Sequence, residues 1–256
     1  MHRKECWPGW AVFTPGGGAV HLSIMGNASP ANMVISIIVP VLNESTALPA
    51  LLERLLPLQQ QSCEVLLVDG GSVDGSAALI EAAGFRVVHS QQGRAKQMNA
   101  GAAQAKGDVF LFLHADTELP PAAIGCVRQT LASGRHRWGR FDVRISGSHW
   151  MLPVVATMMN LRSRLTGIAT GDQAMFVFRA SFHAAGGFAD QPLMEDIELS
   201  RRLLRISRPA CIAHRVTTSG RRWEAGGVWR TIGLMWRLRW DYWRGVAPDL
   251  LARAYR

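Results

Sequence analysis

An α/β fold built on a mostly parallel, Rossmann-like sheet flanked by helices is what the sequence predicts, and three observations predict it. Strand and helix patterns alternate four times in about eighty residues, from Val34 onward. The strand patterns are continuous aliphatic runs instead of alternating ones, as expected of strands buried on both faces. Polar residues gather directly after these runs, where open α/β sheets bind their ligands.

Val34–Val39 is a β-branched run closed by Pro40 and is read as the first buried strand. A helix follows over 45–58, then a second strand over 64–68, closed by Asp69-Gly70-Gly71-Ser72. Asp74 is placed to cap a helix running through Ala83. Residues 85–89 give a third strand, 95–105 an Ala-rich helix and 108–113 a fourth strand ending in His114-Ala115-Asp116. Beyond it the pattern loosens. Strands are expected over 141–145 and 174–178 with a Met-rich helix between them, then helices over 192–205 and 228–244. Residues 1–32, broken by Pro8-Gly9 and Pro15-Gly16-Gly17-Gly18, are expected to form a disordered, functionally silent leader. Residues 33–224 form the main domain in this reading and 225–256 a helical extension.

Composition narrows the class. With 48% hydrophobic and 18% charged residues, the 256-residue chain has ample core and is not intrinsically disordered. Its formal charge of +9 is uneven: residues 1–200 carry −1 and residues 201–256 carry +10. That asymmetry points to an anionic partner met by one region and away from nucleic acid. Four scattered cysteines, without C-x-x-C or zinc-ligand spacing, fit a reducing, cytoplasmic setting. No apolar run reaches the roughly 18 residues of a spanning helix.

Chemistry-bearing residues stand at three strand ends: Asn43-Glu44, Asp69 and His114-x-Asp116. One such end is ordinarily a turn, but three on one edge suggest a site. P-loop and dinucleotide signatures are both absent, so a nucleotide diphosphate would need side chains or a metal. Arg94 and Lys96 stand at a helix start, suited to phosphate, where solvated surface charges are the alternative. Asp116 with His114 beside it could hold Mg²⁺ or Mn²⁺ together with diphosphate oxygens and water. Glu195-Asp196-x-Glu198 opens a helix; these acids either complement its dipole or, crowded together, include a general base of raised pKa.

These pieces resemble the ordered motifs of family-2 glycosyltransferases with the GT-A fold. The motifs are Ile37-Ile38-Val39-Pro40-Val41-Leu42-Asn43-Glu44, Val68-Asp69-Gly70-Gly71-Ser72-Val73-Asp74-Gly75-Ser76, Leu113-His114-Ala115-Asp116 and Glu195-Asp196-Ile197-Glu198. The resemblance covers residues 34 to about 223. Further text, Gly93–Gly101, Thr170–Gln173 and Thr218–Glu224, is similar to a bacterial subgroup called radical-SAM/selenodomain-associated transferases, some linked to arsenosugar biosynthesis.

The resemblance implies that Pro40, Asn43, Glu44 and Asp69 line the nucleotide pocket with Arg94 and Lys96. It implies that Asp116 holds the metal bridging the sugar-nucleotide diphosphate, with His114 as a second metal neighbour. Asp196, with Glu195 beside it, is implied as the base that deprotonates an acceptor hydroxyl for inverting attack. Gly171, Asp172, Arg222 and Trp223 are implied to face acceptor or diphosphate. Three departures stand out: Gly70 replaces a common Asp, His114 replaces the first Asp of D-x-D, and Ser219 replaces the Gln of Q-x-x-R-W.

Two other functions compete. A sugar nucleotidyltransferase would want a Gly/Arg/Lys-rich first loop, which Val41-Leu42-Asn43-Glu44 lacks. A catalytically inactive, membrane-associated binding protein would not need Asp116 and Asp196. In the C-terminal helix Trp229, Ile232, Trp236, Trp240 and Trp243 share one face. That stripe is read as core or homodimer seam ahead of an anionic membrane contact, although Trp with Arg is also the composition of an interfacial helix. The last option would make the protein peripheral to the inner face of the membrane.

Overall fold

Six of the seven residues of β1 (Ile35–Val41) are buried, because helices cover the sheet on both sides. In the computed structural model, which describes residues 33–255, Ile35, Ile37, Val39 and Val41 face a core beneath α1 (Leu48–Gln60). Ile38 faces the opposite core with Met98 and Ala102 of α3 (Arg94–Gln104). The leader expected over 1–32 lies outside the described residues. Strands β2 (Cys63–Asp69), β3 (Arg86–His89) and β4 (Val109–Phe112) join β1 in the order 3-2-1-4, all parallel. Helix α2 (Ser76–Ala82) links β2 to β3. The left-handed Gly75, and not Asp74, occupies its cap position. Asp74 instead accepts from the Ser76 N–H and hydroxyl and from the Ser45 N–H. Those bonds hold its carboxyl far below the usual range.

The second half mixes directions. After β5 (Thr117–Glu118) and α4 (Ala123–Ala132) come β6 (Trp138–Ser146), α5 (Leu152–Thr166), β7 (Phe176–Phe178) and α6 (Arg179–Ala184). Then follow α7 (Glu195–Leu203) and β8 (Ala210–Ser219). The sheet continues from β4 as 7-6-8-5: β7 is antiparallel to both neighbours, β6 and β8 are parallel, and β5 is antiparallel to β8. The expected strands over 141–145 and 174–178 are β6 and β7; β5, β8, α4 and α6 were not anticipated.

After β8 the chain folds as α8 (Arg221–Gly226), which straddles the boundary expected at 224/225, then α9 (Val228–Trp243) and α10 (Pro248–Tyr255). Here the expectation of a core stripe is corrected. Trp229, Trp236, Trp240 and Trp243 are 63%, 72%, 58% and 67% exposed. Helix α9 instead turns Leu238, with Leu234, Met235 and Tyr242, onto Met194, Ile197 and Leu251. Thr231, Met235, Leu238 and Tyr242 also recur at helical spacing, so α9 has a second face, and this one packs inward with Thr231 and Leu238 buried. Among the described residues no helix is long and apolar enough to cross a membrane.

Candidate active site

The carboxyl ends of β1 and β4, the start of α3 and the start of α7 border a cleft of about 720 Å³. Most of the expected residues meet there. Pro40, Glu44, Arg94, His114, Asp116, Gly171, Asp172, Glu195, Asp196, Arg222 and Trp223 all line it. Asn43, Asp69 and Lys96 do not, and the reason is local. The Asp69 carboxylate accepts the N–H groups of Gly71 and Ser72, bracing its own turn. Asn43, in a left-handed conformation with φ 52°, donates its N–H to Ser72 Oγ and accepts from the Val73 N–H. Lys96 turns outward to Gln91 and Asp190. The loops after β1 and β2 are thus stapled together, and Asn43 and Asp69 shape the cleft without entering it.

Gln97 is the side chain that sequence reasoning missed here. Buried at 4% exposure, its amide donates 2.8 Å hydrogen bonds to the carbonyls of Val41 and Val68, tying the ends of β1 and β2. It also accounts for Gly70: a Cβ there would stand 2.9 Å from Gln97 Cδ, so the aspartate common at that place has no room. Gly101, one turn on, lets α3 approach the sheet, since a Cβ would meet Ile38 Cγ2 at 2.5 Å.

Asp196 is held by the backbone. Its Oδ2 accepts from Gly171 N–H at 2.8 Å and its Oδ1 from Ile197 N–H at 2.7 Å. The Gly171 end is fixed by a tight turn, Gly171–Gln173, whose buried Gln173 reaches Asn160; Asn160 in turn brackets Val143. Behind it the wholly buried Arg140 pairs with Asp142, which also takes Arg164.

Glu195, 3% exposed, is the acid whose pKa is raised. Burial and then the neighbouring Asp196 push it up to about 7, against the pull of Arg94 at 3.7 Å. Arg94 is held above its ordinary value: burial opposes its charge, but Glu195, Asp172 and Asp196 outweigh it. Asp172 is held low, because the bond from His114, followed by Arg94 and Arg222, overcomes its desolvation. Arg222 lies 3.5 Å from the centre of the Tyr255 ring and donates to the Tyr255 carbonyl. Tyr255 thus brings α10 back to the cleft wall, a residue no sequence signal identified.

The cleft offers a divalent cation few protein ligands. Asp116 is exposed, and its carboxylate takes only a long 3.4 Å hydrogen bond from Thr117. No three His, Cys, Asp or Glu side chains converge among the described residues. One free carboxylate at a cleft fits an ion completed by diphosphate and water, and not an all-protein cage. His114 Nε2 is buried without a partner, while Nδ1 lies 3.4 Å from Asp172. The ring is wedged against Gly171, where a Cβ would come within 2.2 Å of it.

The family profile for glycosyl transferase family 2 matches residues 36–185, more than half of the chain. The chain belongs to glycosyl transferase family 2. This family 2 glycosyltransferase is 31% identical over 155 residues to the undecaprenyl-phosphate 4-deoxy-4-formamido-L-arabinose transferase of Proteus mirabilis, a match covering 54% of this chain and 46% of that protein. The chain spans about half the length of the curated relatives it matches. Among solved structures, S. aureus TarS in complex with UDP-GlcNAc superposes with a TM-score of 0.60 at 17% identity, covering 73% of this chain and 58% of that one. The glucosyl-3-phosphoglycerate synthase of Mycobacterium tuberculosis, solved with Mn²⁺ and UDP, gives 0.53 at 18% identity, covering 72% and 71%. The GT-A fold is therefore shared, and family membership sets the nucleotidyltransferase alternative aside.

Proposed function

We propose that the protein is an inverting, metal-dependent glycosyltransferase that moves a sugar from a nucleotide-sugar donor to an acceptor hydroxyl. The observation that carries this reading is the meeting, in one cleft, of the uncommitted Asp116 carboxylate and the backbone-held Asp196. Asp116 would hold Mg²⁺ or Mn²⁺, which supplies positive charge for the leaving diphosphate. His114 keeps Asp172 in place beside it. Pro40 and Glu44 bound the nucleotide end of the cleft, and Arg94 and Arg222 face the anionic parts of the substrates. Asp196 takes the acceptor proton, the acceptor oxygen bonds to the anomeric carbon, and the sugar–diphosphate bond breaks on the opposite face. The two backbone N–H groups on Asp196 leave each oxygen a lone pair for that proton.

A second reading is favoured by the relatives' names and by the arginines on the cleft wall, Arg94, Arg222 and Arg239. Both suit a phosphate-bearing lipid acceptor, whose oxygen is already ionised and needs no base. With that acceptor the protein would work from the cytoplasm, peripheral to the inner face of the membrane. The subgroup linked to arsenosugar biosynthesis names no acceptor and adds none here. Asp196→Asn separates the two. Transfer to a hydroxyl should fall by about 10²-fold or more with donor affinity retained. Transfer to a lipid phosphate should fall far less. Full activity on a hydroxyl acceptor would remove Asp196 from the role of base.

A further inference from the structure

Helix α9 separates two functions on its two sides. One side supplies Thr231, Met235, Leu238 and Arg239 to the cleft wall; the other displays Trp229, Trp236, Trp240 and Trp243, each more than half exposed. A second apolar stripe lies on α5, where Val154, Met158, Leu161 and Leu165 are 45%, 53%, 46% and 70% exposed at spacings of one helical face. The stripes meet where Trp150, two residues before α5, touches Trp229 edge-on, ring centres 6.3 Å apart. Single exposed apolar residues are ordinary, but two exposed apolar helix faces joined by a tryptophan pair mark an interaction surface.

We infer that this two-helix patch rests on the surface of an anionic lipid bilayer, with the cleft opening beside it. Charge selects the occupant. Residues 201–256 carry +10, all of their cations being arginines; Arg230 and Arg237 on α9, Arg244 at its C-cap and Arg253 on α10 are exposed, Arg237 lying beside Asp241. Tryptophan settles at the headgroup level of a membrane, and arginine beside it is drawn to anionic lipid. A second copy suits the patch less well, because a two-fold pairing of one patch with itself would set these arginines against each other. The inference deepens the lipid-phosphate reading and rests on it for the purpose of the surface, since an acceptor held in a bilayer must reach Asp196 from there.

The test uses the full chain and sucrose-loaded vesicles of phosphatidylcholine with and without phosphatidylglycerol. The wild-type protein should sediment with the anionic vesicles only, and less as salt rises, because the attraction is screened beyond about 10 Å at 0.1 M. Each arginine near the surface contributes about fivefold to partitioning. Trp236→Ser with Trp240→Ser should weaken sedimentation by about tenfold or more through lost apolar contact. The melting temperature should not move, since both side chains are exposed. The inference fails if the wild type stays in the supernatant at low salt, or if the double variant binds equally well. It also fails if the tryptophans instead hold together a dimer that the double variant loses. Donor hydrolysis without vesicles is read in parallel. Hydrolysis without vesicle binding overturns the surface alone, and vesicle binding without hydrolysis overturns the enzymatic reading alone.

Discussion

Replacing Glu195 by glutamine removes a carboxyl that the fold charges only at a cost. In the folded chain Glu195 is buried beside Asp196, and its pKa is carried from an ordinary 4.5 to about 7. The folded state therefore binds its proton more tightly than the unfolded state does. Well below pH 4.5 both states are protonated, so there the group adds no pH dependence to folding. As pH rises from about 4.5 to about 7 the unfolded chain releases the proton first, and stability falls by on the order of 3 kcal/mol. Glutamine keeps the shape and cannot ionise, so Glu195→Gln should escape that loss. Urea unfolding of both proteins at pH 5 and pH 8 measures it, with the titrating groups remote from Glu195 cancelling in the difference. Stability of the variant relative to the wild type should rise between the two pH values by up to that amount, the pull of Arg94 being already contained in the raised pKa. A difference that stays constant across the range would show that Glu195 ionises normally, and the crowded-acid account of α7 would be wrong.

Three other substitutions follow from contacts in the cleft. Gly171→Ala should lower the melting temperature and abolish transfer, because its Cβ collides with His114; overpacking of this sort costs about 1–3 kcal/mol. Adding His114→Ala should restore the melting temperature. Gln97→Leu removes two buried side-chain hydrogen bonds, although the Val41 carbonyl keeps the Gly70 N–H, and should destabilise by about 0.5–1.5 kcal/mol for each bond in chemical unfolding. Asp116→Ala should melt like the wild type, its side chain being exposed, yet lose the added stabilisation that Mn²⁺ with a nucleotide sugar confers in a thermal-shift assay.

The first half of the fold was legible because its strands are buried on both faces and so appear as unbroken aliphatic runs. β8 was not: His214 and Arg215 interrupt its alternation at the place where a bulge shifts its register against Phe141 and Asp142. The site was legible wherever a motif residue points into the cleft, as Asp116, Glu195 and Asp196 do. Asn43 and Asp69 misled because the same residue types brace turns with their side-chain oxygens. Gln97 had a usable signal, a polar residue on the apolar face that α3 shares with Gly101. Tyr255 had none, because only tertiary folding brings it against Arg222. The tryptophan stripe illustrates the limit of periodicity, which finds an apolar face without saying which of two faces is covered.

Cleavage of the bond between a sugar and a nucleoside diphosphate is the chemistry proposed for this cleft. It is tested most directly by incubating the full chain with UDP-, GDP- and dTDP-sugars, with and without Mn²⁺, and identifying the nucleotide released. At least one donor should release its nucleoside diphosphate, dependent on the metal, and the release should be lost in Asp116→Ala. Release that persists unchanged in Asp116→Ala, or no diphosphate from any donor while the metal and nucleotide sugar bind, would contradict it.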